Sequence, residues 1–308
     1  MNIAYLLSPY RDVSHVKRLI EALHEDAEFF IHVDKKSKLS DFTDVIHGDN
    51  IHFLENRVEV GWGTMSQVEY QMRLLQAAID FPKHFDRLFS LSGQDYPVWS
   101  NSQITAFLES LGDKEIVQGI CMDSEAILES QTNLYEIARP QVQIGFLPRR
   151  FNSVLTVLTR KFLKWTGHRK RLYFYDDEGN LVHLYKGSDW WCMTEELARY
   201  VVHKYQHDSS YKRYFVDSFT PSETLIQTMA FNSPVFSKRC ILTTGEYPKL
   251  SGLTPLHFID YNPIIQIMTE KDYPRILESG KMFVRKVVSG KSDKLVKMLN
   301  SDREEEEE

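Results

Sequence analysis

The sequence predicts an α/β fold: a mostly parallel sheet built from β–α units, with helices on both faces. Three observations carry this. Short apolar or β-branched runs alternate with helix-period segments over the first 122 residues. The runs are too short for helices and are bounded by turn residues. The polar clusters Ser8 to Arg11, Asp34, and Ser92 to Asp95 fall where three strands end, and in such sheets ligands sit at the carboxyl ends of the strands.

The elements follow in order. "IAYLLS" (3–8) reads as a strand, and "DVSHVKRLIEALHED" (12–26) places Val16, Leu19, Ile20 and Leu23 at helical spacing. "EFFIHVD" (28–34) and "IHFLE" (51–55) are rich in β-formers. A long helix pattern covers 64–81, a strand 86–93, a helix 101–112 closed by glycine, and a strand 114–122. "LVHLYKGSDWWCMT" (181–194) is a strand interrupted by glycine, and 195–205 is a helix. "LHFID" (256–260) and "KMFVRKVVSG" (281–290) read as strands around a short segment, "DYPRILESG". With no internal repeat or clear linker, 1–300 is expected to form a single domain. Its parts are a nucleotide-binding half (1–122), a variable basic insertion (123–180) and a catalytic, acceptor-binding half (181–300). The run "SDREEEEE" (301–308) is expected to be a disordered acidic tail.

Composition narrows the function. A net charge of −6 over 308 residues argues against a nucleic-acid binder. Three cysteines without a CxxC pair suggest no disulfide framework, and a reducing, cytoplasmic setting is expected. The first residues, "MNIAYLLSPY", turn polar too soon for a signal peptide, and no run is long enough to span a membrane. Phosphate-binding glycine motifs and the G-x-S-x-G elbow are absent. His203 and His207 have metal-like spacing but read better as an exposed helix face.

Between Leu147 and Tyr175 every charged residue is basic: Arg149, Arg150, Arg160, Lys161, Lys164, Arg169, Lys170 and Arg171. Phe151, Val154, Leu155, Leu158, Phe162 and Trp165 make an apolar stripe at helical spacing. Two readings stay open: a surface helix packed on the core by that stripe, or a helix that meets an anionic membrane or lipid-linked phosphate through 149–171.

Two stretches suggest chemistry. Thr220-Pro221-Ser222-Glu223 fits a capping box at a helix start, which would tie Glu223 to the backbone; the same glutamate is also a candidate catalytic base. In "FVRKV", Arg285 and Lys286 alternate faces of a strand, so one of them can face a pocket. A fixed cation there can stabilise a leaving diphosphate without a metal ion.

Taken together, "FFIHVDKKS", "VGWGTMSQVEYQMRLLQAA", "LFSLSGQDYP", "GSDWWCMT", "PSETLIQTMAFNSP" and "FVRKV" resemble, in order, the core-2/I-branching β-1,6-N-acetylglucosaminyltransferases and peptide O-xylosyltransferases (glycosyltransferase family 14). The resemblance covers roughly residues 3–290 and is nearer the xylosyltransferase branch. It implies a GT-A-type, Rossmann-like fold and an inverting transfer from a UDP-sugar to a glycan or lipid-linked acceptor. No metal ion or other cofactor is expected.

By the same resemblance Glu223 is the catalytic base. Lys286 contacts the diphosphate, as does Arg275 despite a shorter intervening segment. Asp34 lies near the nucleoside, Asp95 beside the donor sugar, and Arg11 near the nucleotide. Trp62 and Gly63 match the family's "WG" turn. Trp190 and Asp189 are the acceptor-side candidates, although core packing remains open for Trp62 and Trp190. His257 departs from an arginine common in relatives, so any phosphate contact there would be weak or pH-dependent.

Few cysteines and no anchor fit a bacterial, cytoplasmic enzyme of surface-polysaccharide synthesis, peripheral to the inner membrane. Two alternatives stand beside this. One is a non-catalytic glycan- or nucleotide-binding module, favoured by His257. The other is a metal-dependent nucleotidyltransferase, disfavoured because "SPYRDVSH" lacks a glycine-rich phosphate loop.

Overall fold

The computed structural model describes residues 1–308 apart from 25, 130–141, 143, 145, 146, 167–169, 263, 307 and 308. Thirteen strands are described: β1 (Ile3–Ser8), β2 (Glu28–Ile31), β3 (Ile51–Phe53), β4 (Arg87–Ser92), β5 (Asp95–Pro97), β6 (Gln118–Cys121), β7 (Tyr173–Tyr175), β8 (Leu181–His183), β9 (Tyr185–Lys186), β10 (Cys192–Met193), β11 (Ile241–Thr243), β12 (His257–Ile259) and β13 (Phe283–Arg285).

The central sheet has the order β10-β4-β1-β2-β3 and is parallel except for β10, which runs against β4. Alternation along β1 sets its two faces. Ala4 and Leu6 pack with Val68, Met72 and Leu75 of the helix Met65–Ile79 and with Leu197 and Val201 of Glu195–His207. Ile3, Tyr5 and Leu7 pack with Val16 and Leu19 of Val13–Glu21 and with Ile104 and Leu108 of Asn101–Ser110. The expected α/β architecture is therefore present, with helices on both faces.

Two small three-stranded sheets accompany the central one. β5 follows β4 almost directly and pairs with β13, which pairs in turn with β12. β6 leaves the parallel series expected of it and lies between β11 and β9. The interrupted strand 181–194 becomes three, β8, β9 and β10, and the hairpin β7–β8 turns through 176–180. Gly187 explains the interruption: a Cβ there would lie 2.2 Å from the Gln118 carbonyl oxygen. Only a residue without a side chain lets the two backbones pass.

The chain's end corrects the tail expectation. The helix Asp293–Glu305 takes in Ser301 to Glu305. Arg303 is 8% exposed and donates from Nε to the Trp99 carbonyl at 2.9 Å. A buried arginine satisfied by backbone carbonyls anchors the helix that the glutamate run extends.

Candidate active site

The candidate site lies at the carboxyl ends of β1, β4 and β13. Glu223 is not a capping residue. Thr220 has φ of +47° and its side chain makes no cap hydrogen bond; Pro221–Glu223 form one 3-10 turn. The turn is held from two sides. Thr220 N–H donates to the Gly63 carbonyl at 3.0 Å, and Gly187 N–H donates to the Glu223 carbonyl at 2.8 Å. The Glu223 carboxylate then accepts from the ammonium of Lys186.

Lys186 carries no signal in the sequence, yet its side chain is 2% exposed. Burial pushes its ammonium down to about 7, against the opposing charge of Asp189. Asp189 lies three residues on in the same cluster. Gln71 donates to it at 3.5 Å, and burial raises its carboxyl, with the Ser222 hydroxyl and Lys186 opposing. The segment Lys186–Trp190 thus joins the base candidate to the far side of the site, where the Arg285 guanidinium lies 5.2 Å from the centre of the Trp190 ring.

That side is built on Asp95. Its carboxylate accepts from the Ser92 amide at 2.7 Å, the Ser92 hydroxyl at 2.8 Å and Arg285 Nη1 at 2.9 Å, and stands 3.2 Å from His257 Nε2. Burial alone would raise this carboxyl; His257 and Arg285, with the Ser92 amide, outweigh it and hold the group well below the ordinary carboxylate range. The expectation that Asp95 faces a donor sugar is corrected here, because a fully buried, saturated carboxylate orients Arg285 instead. His257 is corrected likewise. It is buried between Trp190 and Phe283, with ring centres 5.4 and 5.1 Å away, and pairs with the Asp95 carboxylate rather than presenting itself to a phosphate.

Lys286 is half-buried at the end of β13. Burial, then the positive charges of Arg285 and Arg11, push its ammonium down. Among the described residues neither Lys286 nor Arg11 has a carboxylate partner, and Arg11 lies 4.9 Å from the Tyr10 ring centre in an exposed position. Three cations converge here with one buried carboxylate between them, an arrangement that an incoming anion relieves. Arg275 does not share it: its exposed guanidinium is taken by Asp260 at 2.8 Å and Asp272 at 3.4 Å.

Asp34 serves the loop after β2, accepting from the amides of Lys36 at 3.0 Å and Val60 at 3.3 Å. Gly63 has φ of +72°, which suits glycine, and its turn carries Trp62, 63% exposed and edge-on to Phe219 at 5.3 Å. Core packing is thereby ruled out for Trp62, whereas Trp190 is buried at 7%. His203 and His207 stack at 4.3 Å on an exposed helix face. Away from these strand ends, Cys121, Asp123 and His183 form a half-buried cluster that the sequence reading missed, since β8 brings His183 across to Asp123 at 2.8 Å.

These features define a class, an α/β protein with a cluster of cations at its strand ends beside a lysine–glutamate pair. The chain belongs to the Core-2/I-Branching enzyme family, a glycosyltransferase family whose model matches residues 3–277. It is 27% identical to xylosyltransferase 2 of Rattus norvegicus over 244 residues, which are 76% of this chain and 25% of that protein. Xylosyltransferase 2 of Homo sapiens is 26% identical over 242 residues, with the same shares. The match therefore spans about a quarter of the length of these relatives. Among solved structures, the galactosyltransferase LgtC with donor and acceptor sugar analogs has a TM-score of 0.41 at 10% identity, covering 99% of this chain and 96% of that one. The 4-diphosphocytidyl-2C-methyl-D-erythritol synthase of Anaerococcus prevotii has 0.38 at 12% identity, covering 80% and 87%. Likenesses this distant carry no functional argument.

Proposed function

We propose that this protein transfers a sugar from a UDP-sugar to a saccharide hydroxyl by single displacement, inverting the anomeric centre to give a β-linkage without a metal ion. The observation that carries this is the convergence of Lys286, Arg285 and Arg11 at the strand ends, joined through Lys186–Trp190 to Glu223. Glu223 takes the proton of the acceptor hydroxyl as its oxygen bonds to the anomeric carbon. The bond from that carbon to the diphosphate breaks, and UDP leaves with the electron pair. Lys286, Arg285 and Arg11 stabilise the charge that develops on it, the part a metal plays elsewhere. UDP is already a stable anion, so one carboxylate suffices where a glycoside hydrolase uses two. Trp62 offers an exposed face on the Glu223 side for an acceptor ring. The relatives' names make UDP-xylose the first donor to try, and synthesis of a surface polysaccharide remains the setting we favour.

The test is binding and turnover of a panel of UDP-sugars in excess EDTA by the wild type, Glu223→Gln and Lys286→Ala. The expected result is one donor bound alike by wild type and Glu223→Gln, with turnover about 100-fold or more lower in the variant, and bound weakly by Lys286→Ala. Turnover that vanishes with EDTA and returns with a divalent ion sinks the metal-free reading. Failure of the wild type to bind any UDP-sugar sinks the whole assignment.

A further inference from the structure

We propose that the helix Arg149–Trp165 seats this protein on an anionic membrane surface, so that the acceptor of the proposed transfer is lipid-borne. The helix is inverted relative to an ordinary surface helix, whose apolar stripe faces the core. Here the polar side faces in. Asn152 accepts from the Ile144 amide at 3.0 Å and donates to the Ile144 carbonyl at 3.1 Å. Thr156, buried, accepts from the Val142 amide at 3.0 Å. The apolar stripe faces out: Phe151, Val154, Val157, Leu158, Phe162 and Trp165 are all exposed, Trp165 at 83%. At about 100° per residue they span an arc of about 140°, within which Arg150 and Lys161 also fall, between Val157 and Val154. An exposed patch of this kind marks an interaction surface.

Charge selects the occupant. Every charged residue between Leu147 and Tyr175 is basic, and of those described Arg150 and Lys161 are exposed on the same face as the stripe. Arg169 lies outside the described residues, as do the side chains of Arg149 and Lys164. Apolar side chains interspersed with cations, with a tryptophan at the end, suit the headgroup boundary of an anionic bilayer. No helix among the described residues is long and apolar enough to cross one, so the contact is peripheral. Position ties the helix to the site. The Arg160 guanidinium lies 5.3 Å from the Phe219 ring centre, Phe219 meets Trp62 at 5.3 Å, and Thr220 to Glu223 follow directly in the chain. A membrane under this helix therefore lies beside the turn that carries Glu223. The membrane contact stands on the helix alone, while the lipid-borne acceptor also rests on the transfer reading above.

The experiment is co-sedimentation of the full chain with phosphatidylcholine vesicles, with and without phosphatidylglycerol, for wild type, Phe162→Glu/Trp165→Glu and Arg150→Glu/Lys161→Glu. These side chains are exposed, and coincident melting curves show that the variants fold. The expected result is wild-type binding to the anionic vesicles, about tenfold weaker in the first variant, and loss of the preference for anionic lipid in the second. Absence of wild-type binding to anionic vesicles overturns the proposal. So does a dimer in solution that Phe162→Glu/Trp165→Glu dissociates without vesicle binding, because the stripe then belongs to a second copy. UDP binding by the same proteins, read by calorimetry, is expected to be equal in all three. Vesicle binding without UDP binding overturns the lipid-borne acceptor and leaves the membrane contact standing.

Discussion

The ammonium of Lys186 is buried against the Glu223 carboxylate, and this pair sets the chemistry expected at the scale of single residues. An ammonium pushed down to about 7 loses its proton as pH rises through neutrality. Above that pH Glu223 faces a neutral amine. Lys186→Met keeps the volume and removes the cation, leaving the Glu223 carboxylate without its partner, a change that costs stability. The expected outcome is a lower melting temperature than wild type and kcat lower by about tenfold, equivalent to ~1.4 kcal/mol. Wild-type activity should also fall on the alkaline side of about pH 7, a limb missing from the variant. Matching pH profiles would show that Lys186 only fills space.

Turns between elements, rather than the elements themselves, aim the side chains. The Gly63 turn supplies the carbonyl that holds Thr220, and Gly187 donates to Glu223 from the other side. Gly63→Ala places a side chain at φ of +72°, at a cost of about 1–2 kcal/mol. Urea denaturation should show a lower midpoint with an unchanged slope. The shifted turn should lower turnover more than UDP binding, because Lys286 and Arg285 sit on β13 and its end. Equal loss of both would mean that the turn supports the whole site rather than Glu223.

Asp95 matters to the whole molecule because it joins the end of β4 to the small sheet through Ser92 and Arg285. Its folded-state value lies below its unfolded one, so the unfolded chain binds more protons as the medium is acidified. Its contribution is full above about pH 4 and is lost as pH falls further. Asp95→Asn removes the contribution and leaves Arg285 without its carboxylate, a loss of about 3–5 kcal/mol at neutral pH. Stability measured from pH 5 to pH 2 should therefore fall more steeply in wild type than in the variant. Parallel curves would show that some other carboxylate governs acid unfolding.

Periodicity determined the parts that depend on neighbours in the chain. The parallel core, its helices and the polar strand ends were legible because alternation and helical spacing are local properties of the sequence. The motifs also pointed to Glu223, Lys286, Arg11 and Trp62 as candidates, because their residue types and spacing are local properties too. What only the tertiary structure decided depends on contacts between distant segments. Lys186 looks like any surface lysine until β9 packs under Glu223. Asp95 and His257 look like ligand contacts until β12, β13 and β5 pair and bury them. Arg275 looks free until Asp260 takes its charge. The stripe from Phe151 to Trp165 has the same spacing whether it faces core or solvent, and only the packing of Asn152 and Thr156 against the chain turned it outward.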